Sequence, residues 1–325
     1  DIGEEVVIEV MARRLDSPLD SLIRLSDASG KELVRNDDHP LPNIGLQTHH
    51  ADSFVKYILP KSGVYIVQLC DAQQSGGTEY GYRLRISSPR PDFSLWIAPS
   101  SINVSTGQTV PLHILAFRKD GFDGQIRLRL KNSPPGFVLS GGVVPEGKNQ
   151  DVCTLTAPLR PLDYPIALSI EGTATIGGRT VIRSATAADR WQQAFIRHHL
   201  LPAQDLMVAT SRSRIRSPAY QLSGRLPVAI RPGQSIRVQL TSRMPQLSEG
   251  YTYSLLDAPN GITLQEAKPD PRGLSLTFNA SADIVEQIGS AGNLIVQMST
   301  EMTTRFPGGS TDRTQMRTFG TLPAI

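Results

Sequence analysis

Short apolar runs that alternate with polar residues recur from one end of this chain to the other, with turn residues between them. Val6-Val-Ile-Glu-Val10, Leu22-Ile-Arg-Leu25, Glu32-Leu-Val-Arg35, Phe54-Val-Lys-Tyr-Ile-Leu59, Val64-Tyr-Ile-Val-Gln-Leu69 and Tyr80-Gly-Tyr-Arg-Leu-Arg-Ile86 each read as a strand. In the last of these, Arg83 and Arg85 alternate with Tyr82, Leu84 and Ile86, the period of two that a half-buried strand imposes. Asp27-Ala-Ser-Gly30 reads as a hairpin-type turn whose glycine supplies a positive φ. Ser88-Pro-Arg-Pro91 then reads as a short stiff linker, because proline restrains its neighbours and cannot join a ladder.

Beyond the linker the pattern repeats. Gly107-Gln-Thr-Val-Pro-Leu-His-Ile114 matches Gly233-Gln-Ser-Ile-Arg-Val-Gln-Leu240, and Ser133-Pro-Pro-Gly-Phe-Val-Leu139 matches Ala258-Pro-Asn-Gly-Ile-Thr-Leu264. Cys153-Thr-Leu-Thr-Ala157 matches Ser275-Leu-Thr-Phe-Asn-Ala280 loosely, and Ile166-Ala-Leu-Ser-Ile170 matches Leu294-Ile-Val-Gln-Met298. The four matches come in the same order, which points to two copies of one Ig-like sandwich. The fold class expected is therefore all-β: three consecutive β-sandwich domains of jelly-roll or Ig-like type, the second and third homologous. Their bounds are 1–89, 92–188 and 189–325, the last opening with a connector. Within that connector Trp191, Phe195 and His199 suit a short amphipathic helix, or an extended connector packed between sandwiches. Phe306-Pro-Gly-Gly309 reads as a long hairpin loop.

Composition narrows the function classes. The chain has 24 Pro, 27 Gly and 6% aromatics, which suits several small sandwiches better than one large α/β enzyme. A formal charge of +3 from 33 basic and 30 acidic residues lacks the concentrated basic face that phosphate neutralisation requires, so nucleic acid is not expected as a partner. No stretch approaches the roughly 20 apolar residues that span a bilayer, so no membrane insertion is expected. Cys70 and Cys153 sit in strand-like runs of different expected domains and read as two buried free thiols rather than a disulfide. The chain opens on Asp1-Ile-Gly-Glu-Glu-Val, in the middle of a theme, and is expected to be a monomeric piece of a longer protein.

Candidate chemistry gathers between Val34 and Ser53, where carboxylates and imidazoles lie between two strand signals. Asp37, Asp38 and Asp52, with Asp20 as a more distant candidate, carry the oxygen donors that a hard cation such as calcium takes. The plain alternative is that Asp and Asn cap turns through their own backbone. His49 and His50 read poorly as a zinc pair, because adjacent side chains on an extended segment point to opposite faces. There is no Gly-x-Ser-x-Gly elbow, His-Glu-x-x-His, phosphate-binding Walker loop or dinucleotide glycine motif, so no enzyme is expected. Arg212-Ser-Arg-Ile-Arg216 is the densest basic run and reads as a solvated loop. Trp96 and Trp191 read as packing residues, with sugar stacking as the functional alternative.

The first ninety residues resemble a bacterial pre-peptidase C-terminal domain. The resemblance is carried by Leu19-Asp20, Asp27-Ala-Ser-Gly30, Asn36-Asp-Asp38, Ala51-Asp-Ser53, Leu59-Pro-Lys-Ser-Gly-Val-Tyr65 and Tyr80-Gly-Tyr-Arg-Leu84. It implies a small jelly-roll or Ig-like sandwich in a secreted, periplasmic or cell-surface protein, accessory to other domains. Relatives attached to collagenases bind calcium and matrix protein. The resemblance thus implies calcium at the carboxylate loop and a role in adhesion, substrate targeting or spacing, toward an extracellular protein or polysaccharide. A carbohydrate-binding module is the alternative, and a hydrolase with an unrecognised cleft the more remote one.

Overall fold

The computed structural model describes residues 1–40, 49–193, 197–212, 219–224, 226–244, 250–284, 289–304 and 313–325. The fold is all-β, and among the described residues the only helical turn is the 3-10 turn Arg13–Leu15. The strands of the first ninety residues are β1 (Glu5–Met11), β2 (Ser21–Asp27), β3 (Glu32–Asn36), β4 (Phe54–Ile58), β5 (Tyr65–Asp71) and β6 (Arg83–Ser87). Those of the second segment are β7 (Asp92–Ala98), β8 (Ser101–Ser105), β9 (Thr109–Lys119), β10 (Ile126–Lys131), β11 (Val138–Ser140), β12 (Val143–Val144), β13 (Gln150–Thr156) and β14 (Ile166–Ile176). Then come β15 (Arg179–Gln193), β16 (Arg197–Pro202), β17 (Leu206–Ser211), β18 (Tyr220–Ser223) and β19 (Ser235–Ser242). The last are β20 (Thr252–Leu256), β21 (Ile262–Asp270), β22 (Gly273–Ala280), β23 (Ile295–Thr304) and β24 (Arg313–Thr321). No helix among the described residues is long and apolar enough to cross a membrane.

The chain forms two compact units. One comprises Asp1–Phe93, Arg118–Phe122 and Ala188–Ala203; the other comprises Ser94–Phe117, Asp123–Ala187 and Gln204–Ile325. In the first unit, β4-β1-β6 and β3-β2-β5 make two three-stranded sheets. Ile8, Val10, Ile23, Leu25 and Val55 fill the space enclosed by them. The alternation in β1 and β2 is what places those side chains on one face of each strand.

The matched segments of both copies lie in the second unit, and their pairings coincide. β13 runs antiparallel to β9 with Thr109 opposite Thr156 and Leu112 opposite Cys153. β22 runs antiparallel to β19 with Ser235 opposite Asn279 and Val238 opposite Leu276. β11 sets Val138 opposite Thr156, as β21 sets Thr263 opposite Asn279. Cys153, Leu155 and Ala157 are buried in one copy, and Leu276, Phe278 and Ala280 are buried in the other. The loop bonds match too: Ala157 N–H donates to Gln108 O as Ala280 N–H donates to Gln234 O. The expected hairpin loop Phe306-Pro-Gly-Gly309 lies outside the described residues.

The described residues of the connector are not helical. β15 and β16 pair antiparallel with Trp191 opposite His199, so these two residues, spaced for one helix face, sit across a ribbon instead, while Phe195 lies outside the described residues. Backbone pairing satisfies every second N–H and C=O of the ribbon, which an isolated helix this short would not stabilise.

Gly107 and Gly233 hold the same turn with the same φ of 72°. Their surroundings differ. A Cβ on Gly107 would lie 3.0 Å from Leu159 and 3.3 Å from Ala219, whereas one on Gly233 meets nothing nearer than Ala282 at 3.6 Å. Gly233→Ala is expected to cost about 1–2 kcal/mol, the backbone penalty alone. Gly107→Ala is expected to cost more, by the displacement of Leu159. Denaturant unfolding of the two variants checks the order; equal losses would show that the turn alone decides.

Candidate functional site

Asp52, at the end of the acidic loop, is fully buried. The turn at Arg13–Leu15 points its backbone at this carboxylate. Ala12 N–H donates to Oδ1 at 3.0 Å and Arg13 N–H to the same oxygen at 2.7 Å. Arg14 donates to Oδ2 through its backbone N–H at 3.4 Å and its Nε at 2.8 Å. Successive N–H groups converging on one anion form a concave nest, here closed by a guanidinium. The same Arg14 reaches Glu9 through Nη2 at 2.9 Å.

Glu9 carries the chain of charges onward. Arg85 on β6 donates to Glu9 Oε2 at 3.0 Å through Nε. Its two terminal nitrogens grip Asp120 at 2.7 and 2.9 Å, the bidentate fork that guanidinium geometry favours. Arg90 N–H donates to Asp120 Oδ2 at 2.8 Å, which anchors the proline linker. Asp120 itself has a φ of 49°, a left-handed conformation that Asp tolerates better than most residues. Burial pushes the Asp120 carboxyl upward, but the bonds from Arg85 and the Arg90 N–H outweigh it and hold the group below the ordinary carboxylate range. The Arg85 guanidinium is raised, chiefly by its bond to Asp120. All five residues belong to the first compact unit.

The four carboxylates expected to share an ion do not converge. Asp37 and Asp38 are exposed, and Asp20 is half-buried with its N–H on Asp71 Oδ1 at 2.9 Å. Asp52 spends its oxygens on backbone N–H groups and Arg14. Among the described residues no three His, Cys, Asp or Glu side chains gather as metal ligands. Residues 41–48, which hold the Gly45-Leu-Gln-Thr part of the loop, lie outside the described residues.

The neighbouring motif residues are staples. Ser21 and Ser53 hydroxyls meet at 2.8 Å, Ser53 N–H donates to Ser21 Oγ at 2.8 Å, and Phe54 N–H donates to Asn36 Oδ1 at 2.8 Å. His39 is buried against Phe54, with ring centroids 5.3 Å apart. Burial holds its pKa below the ordinary histidine value, and the positive charge of Arg14 adds to that. His49 and His50 do not point apart as an extended segment would require. They lie at a turn, and their rings stack at 4.4 Å.

Three further expectations are corrected or bounded. Cys70 is a free thiol but exposed, because Tyr65, Val67 and Leu69 take the inward positions of β5 and leave the even ones outside. Cys153 is free and buried, and burial pushes its pKa up to about 12. Trp96 packs edge-on to Phe117 with centroids 6.0 Å apart, as a packing residue would. Trp191 instead is 60% exposed. Of the basic run, 213–216 lies outside the described residues. The participation of Glu9, Arg14, Arg85 and Asp120 was not visible beforehand, since no motif links residues so far apart in sequence; the alternation of Arg85 in β6 was the one local signal.

No known family model matches the chain, and no curated protein matches it. A solved structure that it resembles is that of the surface layer protein SbsC, domains 4–9, at 8% identity and a TM-score of 0.28, covering 90% of this chain and 41% of that one. The chain thus spans less than half of the matched structure's length.

Breaking this ionic chain has two expected outcomes. Asp52→Ala leaves Arg14 and three N–H groups facing an apolar methyl and is expected to cost about 3–5 kcal/mol in denaturant unfolding. Asp120→Asn is expected to cost about 2 kcal/mol at pH 7. The sign with pH follows from the lowered carboxyl: its contribution is present above the unfolded value of about 3.9 and is lost as pH falls through the lower folded value. Wild type and Asp120→Asn should therefore converge in stability as the pH is lowered past about 3.9. A constant gap across that range would show that the charge of Asp120 contributes nothing.

Proposed function

We propose that the chain is a non-catalytic structural and adhesive region of a larger exported protein, in which two fused Ig-like sandwiches space and present binding surfaces. The observation that carries this reading is the junction between the two copies, inside the second compact unit. Thr321, at the end of β24, pairs with Thr109 on β9, and its hydroxyl donates to Thr109 O at 3.2 Å. Ala324 N–H donates to Thr154 Oγ1 at 2.8 Å in a buried bond. Asn293 Nδ2 donates to Gly141 O at 2.8 Å. Gly141 lies so close to the other copy that a Cβ there would come within 2.7 Å of Ala324 and Asn293. Leu322 belongs to the core of the last sandwich while Ala324, two residues on, is buried against the preceding one.

Such a junction transmits load and holds the two sandwiches in one arrangement, which suits a spacer better than a flexible tether. The assignment to an exported protein draws on the pre-peptidase resemblance of the first ninety residues, and the accessory role on the same resemblance.

The test uses Cys153 as a reporter of opening in the middle sandwich. In a Cys70→Ser background only Cys153 remains to react, and its buried thiol is inert until that sandwich opens. Phe278→Ala empties a fully buried position of the last sandwich. If the sandwiches open as one, this distant change lowers the urea midpoint of Cys153 labelling by about 1 M or more. A midpoint that stays in place would show two independent sandwiches and remove the basis of the spacer reading.

A further inference from the structure

The junction between the two copies holds a carboxylate where the repeat holds a hydrocarbon. In the shared register of β9–β13 and β19–β22, Asp151 opposite Ile114 takes the place of Leu274 opposite Leu240, a fully buried pair of the last core. Asp151 Oδ1 accepts the N–H of Val152 at 2.7 Å and, from the far side of the junction, the N–H of Asn293 at 3.4 Å. Oδ2 is buried and accepts no hydrogen bond among the described residues. The chain at Gly292 closes over it: a Cβ there would lie 3.8 Å from Asp151 Oδ2 and 3.1 Å from Lys148 Nζ. Buried polar atoms are normally paired, and an ionised oxygen left without a partner is costly.

We propose that Asp151 is a proton-operated latch of this junction, closing the contact between the sandwiches when uncharged and loosening it when ionised. The uncharged carboxyl lies beside Ile114 and the 292–293 backbone with no charge to hydrate. The ionised one needs water that the closed junction excludes, and local opening supplies it. Burial pushes the Asp151 pKa above the ordinary carboxylate value; the N–H bonds of Val152 and Asn293, the charge of Lys148 and the Asn293 side chain act the other way and are outweighed. The surrounding elements leave the proton to this carboxyl. On β13, Cys153 lies on the same face and stays protonated, its pKa pushed up to about 12. On β9, Ile114 stands opposite Asp151, while His113 stands opposite Val152 and so on the other face. The turn before β13 brings the positive charge of Lys148, and the far side of the junction brings Gly292 and Asn293, which do not titrate.

The dependence on pH is opposite in sign to that of Asp120. A raised folded pKa means that the native protein holds the proton more tightly than the unfolded chain does. The contribution of Asp151 is therefore fully present below the unfolded value of about 3.9 and is lost as pH rises through the folded value. Mildly acid surroundings tighten the junction. The latch rests on the junction described above, whatever the chain adheres to. Its failure is distinguishable, because Phe278→Ala probes joint opening at one pH, whereas the proton is probed by substituting Asp151 across a range of pH.

The protein contains two tryptophans, so Trp191→Phe leaves the buried Trp96 on β7 to report urea unfolding of the middle sandwich by fluorescence. In that background Asp151→Asn, which keeps the shape without the charge, is expected to raise the urea midpoint near pH 7 by about 0.3 M or more, and the excess is expected to vanish by about pH 4. Asp151→Leu, carrying the residue of the repeat, should show the same dependence of the gap on pH and serves if the asparagine variant fails to fold. The Ala324 N–H, buried on Thr154 Oγ1 across the junction, reports the contact itself by hydrogen exchange. Its protection factor, with the intrinsic pH dependence divided out, is expected to rise several-fold in wild type over the same range and to stay level in Asp151→Asn. A constant gap between the midpoints, or a protection factor that stays level in wild type or rises equally in both proteins, would overturn the proposal.

Discussion

Glu9 sits between two arginines, and each arginine goes on to a second carboxylate: Arg14 to Asp52 and Arg85 to Asp120. The side chains of Asp52 and Asp120 are 0% and 3% exposed. Desolvating such charges is costly unless every one of them is paired and the remaining lone pairs are filled. Here they are filled by backbone N–H groups of Ala12, Arg13, Arg14 and Arg90. The cost of burial thus becomes a constraint on the backbone. The turn after β1, the approach to β4, strand β6, the proline linker and the 118–122 segment must all be in place for the charges to be satisfied. An apolar core would hold these segments together but would tolerate many registers; a branched ionic chain tolerates few.

The second unit is held by different means. Its sandwiches share threonine hydroxyls, a backbone pairing and a close glycine contact at their junction, with Leu322 and Ala324 passing from one core to the next. The threonine bonds there are neutral and buried. Their directional geometry fixes one arrangement, and their burial excludes the water that would compete for them. Local sandwich stability and junction stability are then hard to separate.

In the ribbon that bears Trp191, Ala188 and Leu200 are buried, Arg190 and Pro202 on the same face are exposed, and Trp191 and Leu201 are exposed on the other. The exposed Cys70 on β5 arises from the parity of its own strand, without the neighbours that would make it a site.

Much of this was present in the sequence because it depends on local periodicity. The strands of the first ninety residues, the Asp27–Gly30 turn and the repeated blocks follow from alternation and turn chemistry, which act over a few residues. The shared register of β9–β13 and β19–β22 follows from the same blocks, since equal spacing and equal apolar positions leave one pairing that buries both. Tertiary structure decided what local pattern cannot encode. Asp52 read as an ion ligand because its neighbours in sequence are acidic, yet its neighbours in space are N–H groups and a guanidinium. Trp191 and His199 were spaced for a helix, but ladder pairing set them across a ribbon. Cys70 lies in an apolar run, but which parity of β5 faced inward was settled by the opposing sheet. In each case the deciding partner comes from another part of the chain, and a contact that closes a long loop leaves no periodic trace in the residues that make it.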